Sequence, residues 1–164
     1  MEHNEDLGFN SLLIHGGMGT DPMGSATVPI YQTSTFAFEN VDEGARCLAG
    51  ESKGYMCPRI GNPTISALER QIAILEGGFG GVATSSGMAA VSTIYMAFLK
   101  SGDHIVSTDA VYGPSRGIME TYFKKFGVES SYVNTGNLDA IRQAIKPNTK
   151  MLFIETPTNP TMEI

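Results

Sequence analysis

The chain has 164 residues, of which 41% are hydrophobic, and a formal net charge of -6. The acidic balance excludes the basic face that nucleic-acid binding requires. No run approaches the ~18 apolar residues of a membrane-spanning helix, so no membrane partner is expected, while the apolar content is enough to bury a core. The opening Met1-Glu2-His3-Asn4-Glu5-Asp6 is acidic and lacks the apolar stretch of a secretory signal. With Cys47 and Cys57 as the only cysteines, this predicts reduced thiols in a cytoplasmic protein. His3, His15 and His104 stand far apart in sequence, and no metal site is expected.

From Met1 to about Pro58 the sequence is rich in Gly, Pro, Ser and Thr and has little periodicity. Val28 to Phe36 reads as extended, because Pro29 discourages helix and β-branched residues follow. Val41 to Leu48 predicts a short helix. Such a stretch cannot bury much against itself and is expected to lie along another surface, of its own domain or of a partner subunit. Residues 1–61 are therefore read as an arm and residues 62–164 as part of an α/β domain.

Asn62 is a good N-cap with Pro63 at the first helical position. Ile65, Leu68, Ile72 and Leu75 form an apolar stripe at helical spacing, ended by Gly77-Gly78. Gly81 to Thr84 predicts a short strand leading to a helix over Gly87 to Leu99, whose methionines Met88 and Met96 read as core. A strand at His104 to Ser107, a helix through Arg116 to Lys125, a strand at Val128 to Val133, a helix at Leu138 to Ile145 and a strand at Lys150 to Glu155 follow. This alternation predicts a mostly parallel sheet with helices packed on both faces. Ligands of such sheets gather at the carboxyl ends of the strands. That rule selects three corners: Ser85 to Met88, Asp109 to Gly113 and Thr156 to Pro160.

Ser85-Ser86-Gly87-Met88 follows a strand and opens a helix, so the amides of Gly87 and Met88 are placed to meet an anion with the helix dipole behind them. A plain glycine turn is the competing reading. Tyr112, beside Gly113, can lie flat on a planar heterocycle or serve as packing. Arg59 precedes a turn and a helix start, where a guanidinium can clamp a phosphate or simply be solvated. Asn159, between Thr158 and Pro160, can donate to a phenolate oxygen or act as a turn residue. Glu155 ends an apolar strand, and a carboxylate there needs a partner. The chain lacks the glycine-rich signatures of nucleotide-binding loops.

Jointly these residues resemble the Cys/Met-metabolism family of pyridoxal-phosphate enzymes, which includes methionine γ-lyase, cystathionine γ-lyase, cystathionine γ-synthase and O-acetylhomoserine sulfhydrylase. The likeness runs through Leu13 to Gly17, Pro29 to Phe36, Arg59 to Thr64, Ser86 to Met88, Val111-Tyr112-Gly113 and Glu155-Thr156-Pro157-Thr158-Asn159-Pro160. It implies the amino-terminal part of an enzyme of sulfur amino-acid metabolism that performs γ-elimination or γ-replacement with pyridoxal 5'-phosphate. It also implies a pyridoxal-phosphate-transferase-like large domain, an arm crossing to a neighbour, and a homotetramer built as a dimer of dimers. Carried over by position, Ser86, Gly87 and Met88 hold the cofactor phosphate. Tyr112 stacks on the ring and moves protons, Asn159 approaches the ring's 3-hydroxyl, and Arg59 serves the neighbouring subunit's phosphate site.

Departures from the pattern qualify this. The family's usual Tyr-Ser-Arg or Tyr-Thr-Arg is Cys57-Pro58-Arg59, and a thiol is a poor phosphate donor. Methionine γ-lyases tend to carry Cys after Tyr-Gly, where this chain has Pro114. The family's ring-nitrogen aspartate, its Ser-x-Thr-Lys segment with the cofactor lysine, and its substrate-binding arginine are expected beyond Ile164. None of Lys53, Lys100, Lys124, Lys125, Lys146 or Lys150 sits in a comparable place. Catalysis by these residues alone therefore stays open. The alternative expectation is a non-catalytic remnant or assembly partner, and four strands of a larger sheet would leave an exposed edge that depends on a partner or complementing chain.

Overall fold

Residues 7–19, 21, 23–52 and 54–164 are described by the computed structural model; the acidic start Met1 to Asp6, with His3, and Lys53 lie outside them. The chain divides into two compact units, Met1–Ala83 and Thr84–Ile164.

Capping chemistry sets the helices of the first unit. Asn40 accepts the Glu43 amide at 2.8 Å and starts α2 (Val41–Leu48) after α1 (Phe9–His15), a helix not anticipated from the sequence. Asn62, 6% exposed, accepts the Thr64 amide at 2.8 Å and starts α3 (Pro63–Leu75). Its other end donates to the Tyr31 carbonyl at 2.8 Å, and Thr64 Oγ1 takes the Tyr31 amide at 3.0 Å. The segment around Pro29 is thus pinned to the start of α3 without forming a ladder. Gln71 Nε2 donates to the Leu12 carbonyl at 2.6 Å and Arg70 Nη2 to the Gly17 carbonyl at 3.2 Å, which docks α1 on α3. A Cβ at Gly17 would stand 2.4 Å from the Ala67 carbonyl oxygen, so only glycine fits this crossing.

These contacts correct two expectations. The stripe of α3 is turned away from its docked face: Ile65, Leu68 and Ile72 are exposed, and Ala67 is the buried residue. Gly81 to Thr84 forms no strand, because the Ala83 amide is taken by Glu69 Oε1 at 2.9 Å rather than by a neighbouring strand.

In the second unit α4 (Gly87–Phe98) leads to β1 (His104–Thr108), α5 (Gly113–Thr121), a 3-10 turn (Phe123–Phe126), β2 (Glu129–Val133), α6 (Leu138–Ala144) and β3 (Thr149–Phe153). The strands form a parallel sheet in the order β2-β1-β3, with His104 opposite both Glu129 and Thr149. This is the expected α/β class with three strands rather than four among the described residues. All five residues of β1 are buried, as the centre of a covered parallel sheet requires.

Tyr95, Leu99, Ile105, Met119, Phe123 and Val128 form the core. The Tyr95 ring meets Phe123 and Phe153 edge-on, at centroid distances of 5.5 and 5.2 Å, the geometry that aromatic quadrupoles favour. Burial pushes the Tyr95 hydroxyl up to about 12. Met96 is exposed, not core as the sequence suggested, because Tyr95 takes the inward position of α4.

Candidate functional site

Two corners, joined by Thr156 at the start of the third, converge on one hollow of about 680 Å³ at the carboxyl ends of the strands. The first is the start of α4. Ser86 Oγ accepts the Ala89 amide at 3.1 Å, which closes the first turn. The Gly87 and Met88 amides have no acceptor among the described residues, and nothing lies within 4 Å of a Cβ built at Gly87. Free amides, an open backbone face and the positive end of a 12-residue helix make a place for an anion.

The second corner follows β1. Tyr112 is the N-cap of α5, and the residue is 53% exposed. The Ser115 and Arg116 amides donate to its carbonyl at 2.9 and 3.2 Å. Its own amide donates to Glu155 Oε2 at 2.8 Å, which supplies the partner that a carboxylate at this strand end needs. Ser115, buried, donates from Oγ to Met88 Sδ at 3.6 Å and joins the two corners.

The hollow is lined by Ser86, Gly87, Met88 and Tyr112 of the predicted set, together with Val91, Ser115, Phe153, Ile154, Glu155 and Thr156. Asn159 is not among the lining residues; it is exposed in the loop after β3. Arg59 lies in the first unit, exposed on a turn in which the Ile60 amide donates to the Cys57 carbonyl at 2.8 Å. The Arg59 side chain holds the Cys57 thiol below the usual thiol range. Ser115 and Phe153 were missed at the sequence level. Their only signals were a serine one turn after Tyr112 and the alternation of Met151 and Phe153 along β3.

Other features of the described residues are separate from this hollow. A second one, of about 450 Å³ in the first unit, is lined by residues including Asp21, Tyr31, Phe36, Tyr55 and Arg70 and holds none of the predicted site residues. His104, fully buried, bonds through its two ring nitrogens to Thr149 Oγ1 at 2.8 Å and Ser131 Oγ at 2.9 Å, tying β1 to both neighbours. Burial, and secondarily the Lys146 charge, lower its pKa against an opposing pull from Glu129. Among the described residues no helix is long and apolar enough to cross a membrane, and no cluster of His, Cys, Asp or Glu could hold a metal ion.

Residues 10–164 match the profile of the family described as Cys/Met metabolism PLP-dependent enzyme. The chain is 43% identical over 157 residues to an L-methionine gamma-lyase of Fusobacterium nucleatum, a match that covers 96% of this chain and 40% of that protein. It is 44% identical over 155 residues to the cystathionine gamma-lyase of Bacillus subtilis, covering 94% and 38%. Among solved structures, metB from Corynebacterium glutamicum superposes with a TM-score of 0.88 at 42% identity, covering 97% of this chain and 40% of that one. The chain thus spans about 40% of the length of such relatives.

Proposed function

Because this chain belongs to the Cys/Met metabolism PLP-dependent enzyme family, we propose that it is the amino-terminal part of an enzyme of sulfur amino-acid metabolism that performs γ-elimination or γ-replacement. The observation that carries the proposal is the shared hollow of Ser86, Gly87, Met88 and Tyr112. Its chemistry fits pyridoxal phosphate in two respects: unpaired amides at a helix start suit a phosphate, and an exposed phenol ring suits a flat heterocycle. When bound, that cofactor supplies an electron sink for the substrate's reacting carbon.

In this reading Ser86 shapes the turn, and the Gly87 and Met88 amides bind the phosphate. Tyr112 orients the ring by stacking, and its hydroxyl moves a proton at the substrate. The roles of Asn159 at the 3-hydroxyl and of Arg59 at a neighbouring subunit's phosphate rest on the family likeness rather than on the geometry. The same likeness supports a homotetramer and an inter-subunit role for residues 1–61. That arm leaves Phe9, Ile14, Ile30 and Val41 exposed, apolar surface of the kind an assembly covers. The free thiols Cys47 and Cys57 support a cytoplasmic location. The relatives' names support a sulfur-containing amino acid as substrate.

The test is borohydride reduction of a longer form, or of this chain with a complementing one, followed by peptide mapping. A pyridoxyl-lysine is expected, and its absence from every complemented form overturns the proposal. The exposed Phe9, Ile14, Ile30 and Val41 also suit a second reading, as a non-catalytic assembly partner. Stable mixed oligomers with a full-length homologue that gain no activity, measured by light scattering and assay, would select that reading instead.

A further inference from the structure

Helix α5 begins without a cap of its own. Tyr112 makes no side-chain cap, Pro114 supplies no amide, and no acidic residue stands in the first turn. The missing acceptor comes from 43 residues later in the chain, where Glu155 Oε2 takes the Tyr112 amide at 2.8 Å. A carboxylate at that point also meets the positive end of the helix. The Tyr112 carbonyl is meanwhile fixed by the Ser115 and Arg116 amides. The peptide groups on both sides of this residue are therefore held while its ring stays free to face the hollow. Glu155 itself lines that hollow, so the tie lies at the site and not behind it.

We infer that Glu155 is a positioning residue. Its carboxylate ties the tip of β3 to the Tyr112 amide and so sets the aromatic platform at a fixed place relative to the anion corner at Gly87 and Met88. The inference rests on the proposed cofactor reading, because the platform matters only where a flat ring rests on Tyr112. Without the tie, the Tyr112 amide loses the acceptor it has among the described residues and the ring its fixed attitude. The Gly87 and Met88 amides, fixed by the Ser86 cap, keep theirs.

Two probes read these parts separately in the full 164-residue chain: inorganic phosphate for the α4 amides alone, and pyridoxal 5'-phosphate for amides and platform together. Affinities are taken from phosphorus-31 NMR titrations, with circular dichroism as the check on folding. Glu155→Ala is expected to weaken pyridoxal phosphate by about three- to tenfold, the worth of an aromatic stacking contact, and not to weaken inorganic phosphate, which the loss of a carboxylate from the same hollow can only favour. Glu155→Gln, which keeps an oxygen acceptor, is expected to restore most of the loss. Glu155→Asp, one methylene short, is expected to behave like Glu155→Ala and serves in its place if the alanine variant does not fold.

Equal pyridoxal phosphate affinity in wild type, Ala and Asp variants overturns the inference and spares the cofactor reading. Equal loss of both probes also overturns it, since the residue would then act on the fold generally. A Gln variant as weak as the Ala variant overturns the hydrogen-bond basis. A wild-type chain that binds phosphate but gains nothing from the pyridoxal ring defeats the cofactor reading first, and the inference with it.

Discussion

Replacing Ser86 separates helix capping from anion binding, because one side chain sits at the root of both. Its Oγ closes the first turn of α4 by accepting the Ala89 amide, while the amides of Gly87 and Met88 have no acceptor among the described residues. Ser86→Ala leaves the Ala89 N–H without its acceptor, which costs about 1 kcal/mol. In a domain of roughly 60–100 residues that lowers Tm by about 4–8 °C. Ser86→Asn keeps an uncharged acceptor and is expected to melt close to wild type. Ser86→Asp keeps an acceptor and adds a charge that the helix end favours by about 0.3–1 kcal/mol. The same charge opposes a bound phosphate. Two unit charges about 5 Å apart in water repel by about 0.8 kcal/mol, and a phosphate dianion about doubles this, so affinity should fall by about tenfold. The stability order is then Asp at or above wild type, Asn near it and Ala lowest, while phosphate affinity is lowest in Asp. Melts by circular dichroism and phosphate titration by phosphorus-31 NMR give both orders. Equal phosphate affinity in the Asp and Asn variants refutes the placement of the anion at the start of α4.

Acid is expected to destabilise the second unit through His104. Burial lowers its folded pKa, so the unfolded chain takes up the proton first; stability is full above the ordinary histidine value of about 6.5 and falls as pH drops through the folded value. Glu129, lowered by Lys146, adds a loss of the same sign further into acid. Urea midpoints should fall between about pH 7.5 and pH 5.5, with a flatter profile in His104→Gln; a wild-type midpoint that stays level contradicts this. Met119→Ala, at a core position 2% exposed, should cost about 2–5 kcal/mol in urea unfolding. Arg59→Gln should slow iodoacetamide labelling of Cys57 at about pH 8, because the guanidinium that favours its thiolate is gone; an unchanged rate, followed by peptide mapping against Cys47, rules that pairing out.

Helix starts were legible wherever one residue does the capping. Asn62 and Pro63 begin α3 as expected, and Val41 to Leu48 is helical over the predicted span. The parallel sheet was legible from the alternation of apolar runs and helical patterns. What sequence did not disclose depends on which neighbour is present. Gly81 to Thr84 has strand-like residues, but a ladder needs a second strand, and Glu69 takes the Ala83 amide instead. The Ile65, Leu68 and Ile72 stripe has helical spacing, yet Gln71 and Arg70 hold α1 on a different side of α3. Periodicity states that a face is apolar without stating what lies against it.

The site was legible for a related reason and to a similar depth. A parallel sheet brings the carboxyl ends of its strands to one edge whatever the loops contain, so a glycine after Ser86 and a tyrosine after β1 could be assigned to one hollow before their distance was known. The same rule placed Asn159 at that edge but could not orient it, since the loop from Thr156 to Pro160 leaves the strand and carries its asparagine away from the lining. The bond from Tyr112 to Glu155 was beyond reach in another way. Its two residues are 43 positions apart, one contributes only a backbone amide, and a lone carboxylate at a strand end signals that a partner is needed without naming it. Residue types at the corners thus suffice to suggest what a hollow can bind. How firmly the corners are held together is written in backbone bonds that no side-chain pattern records.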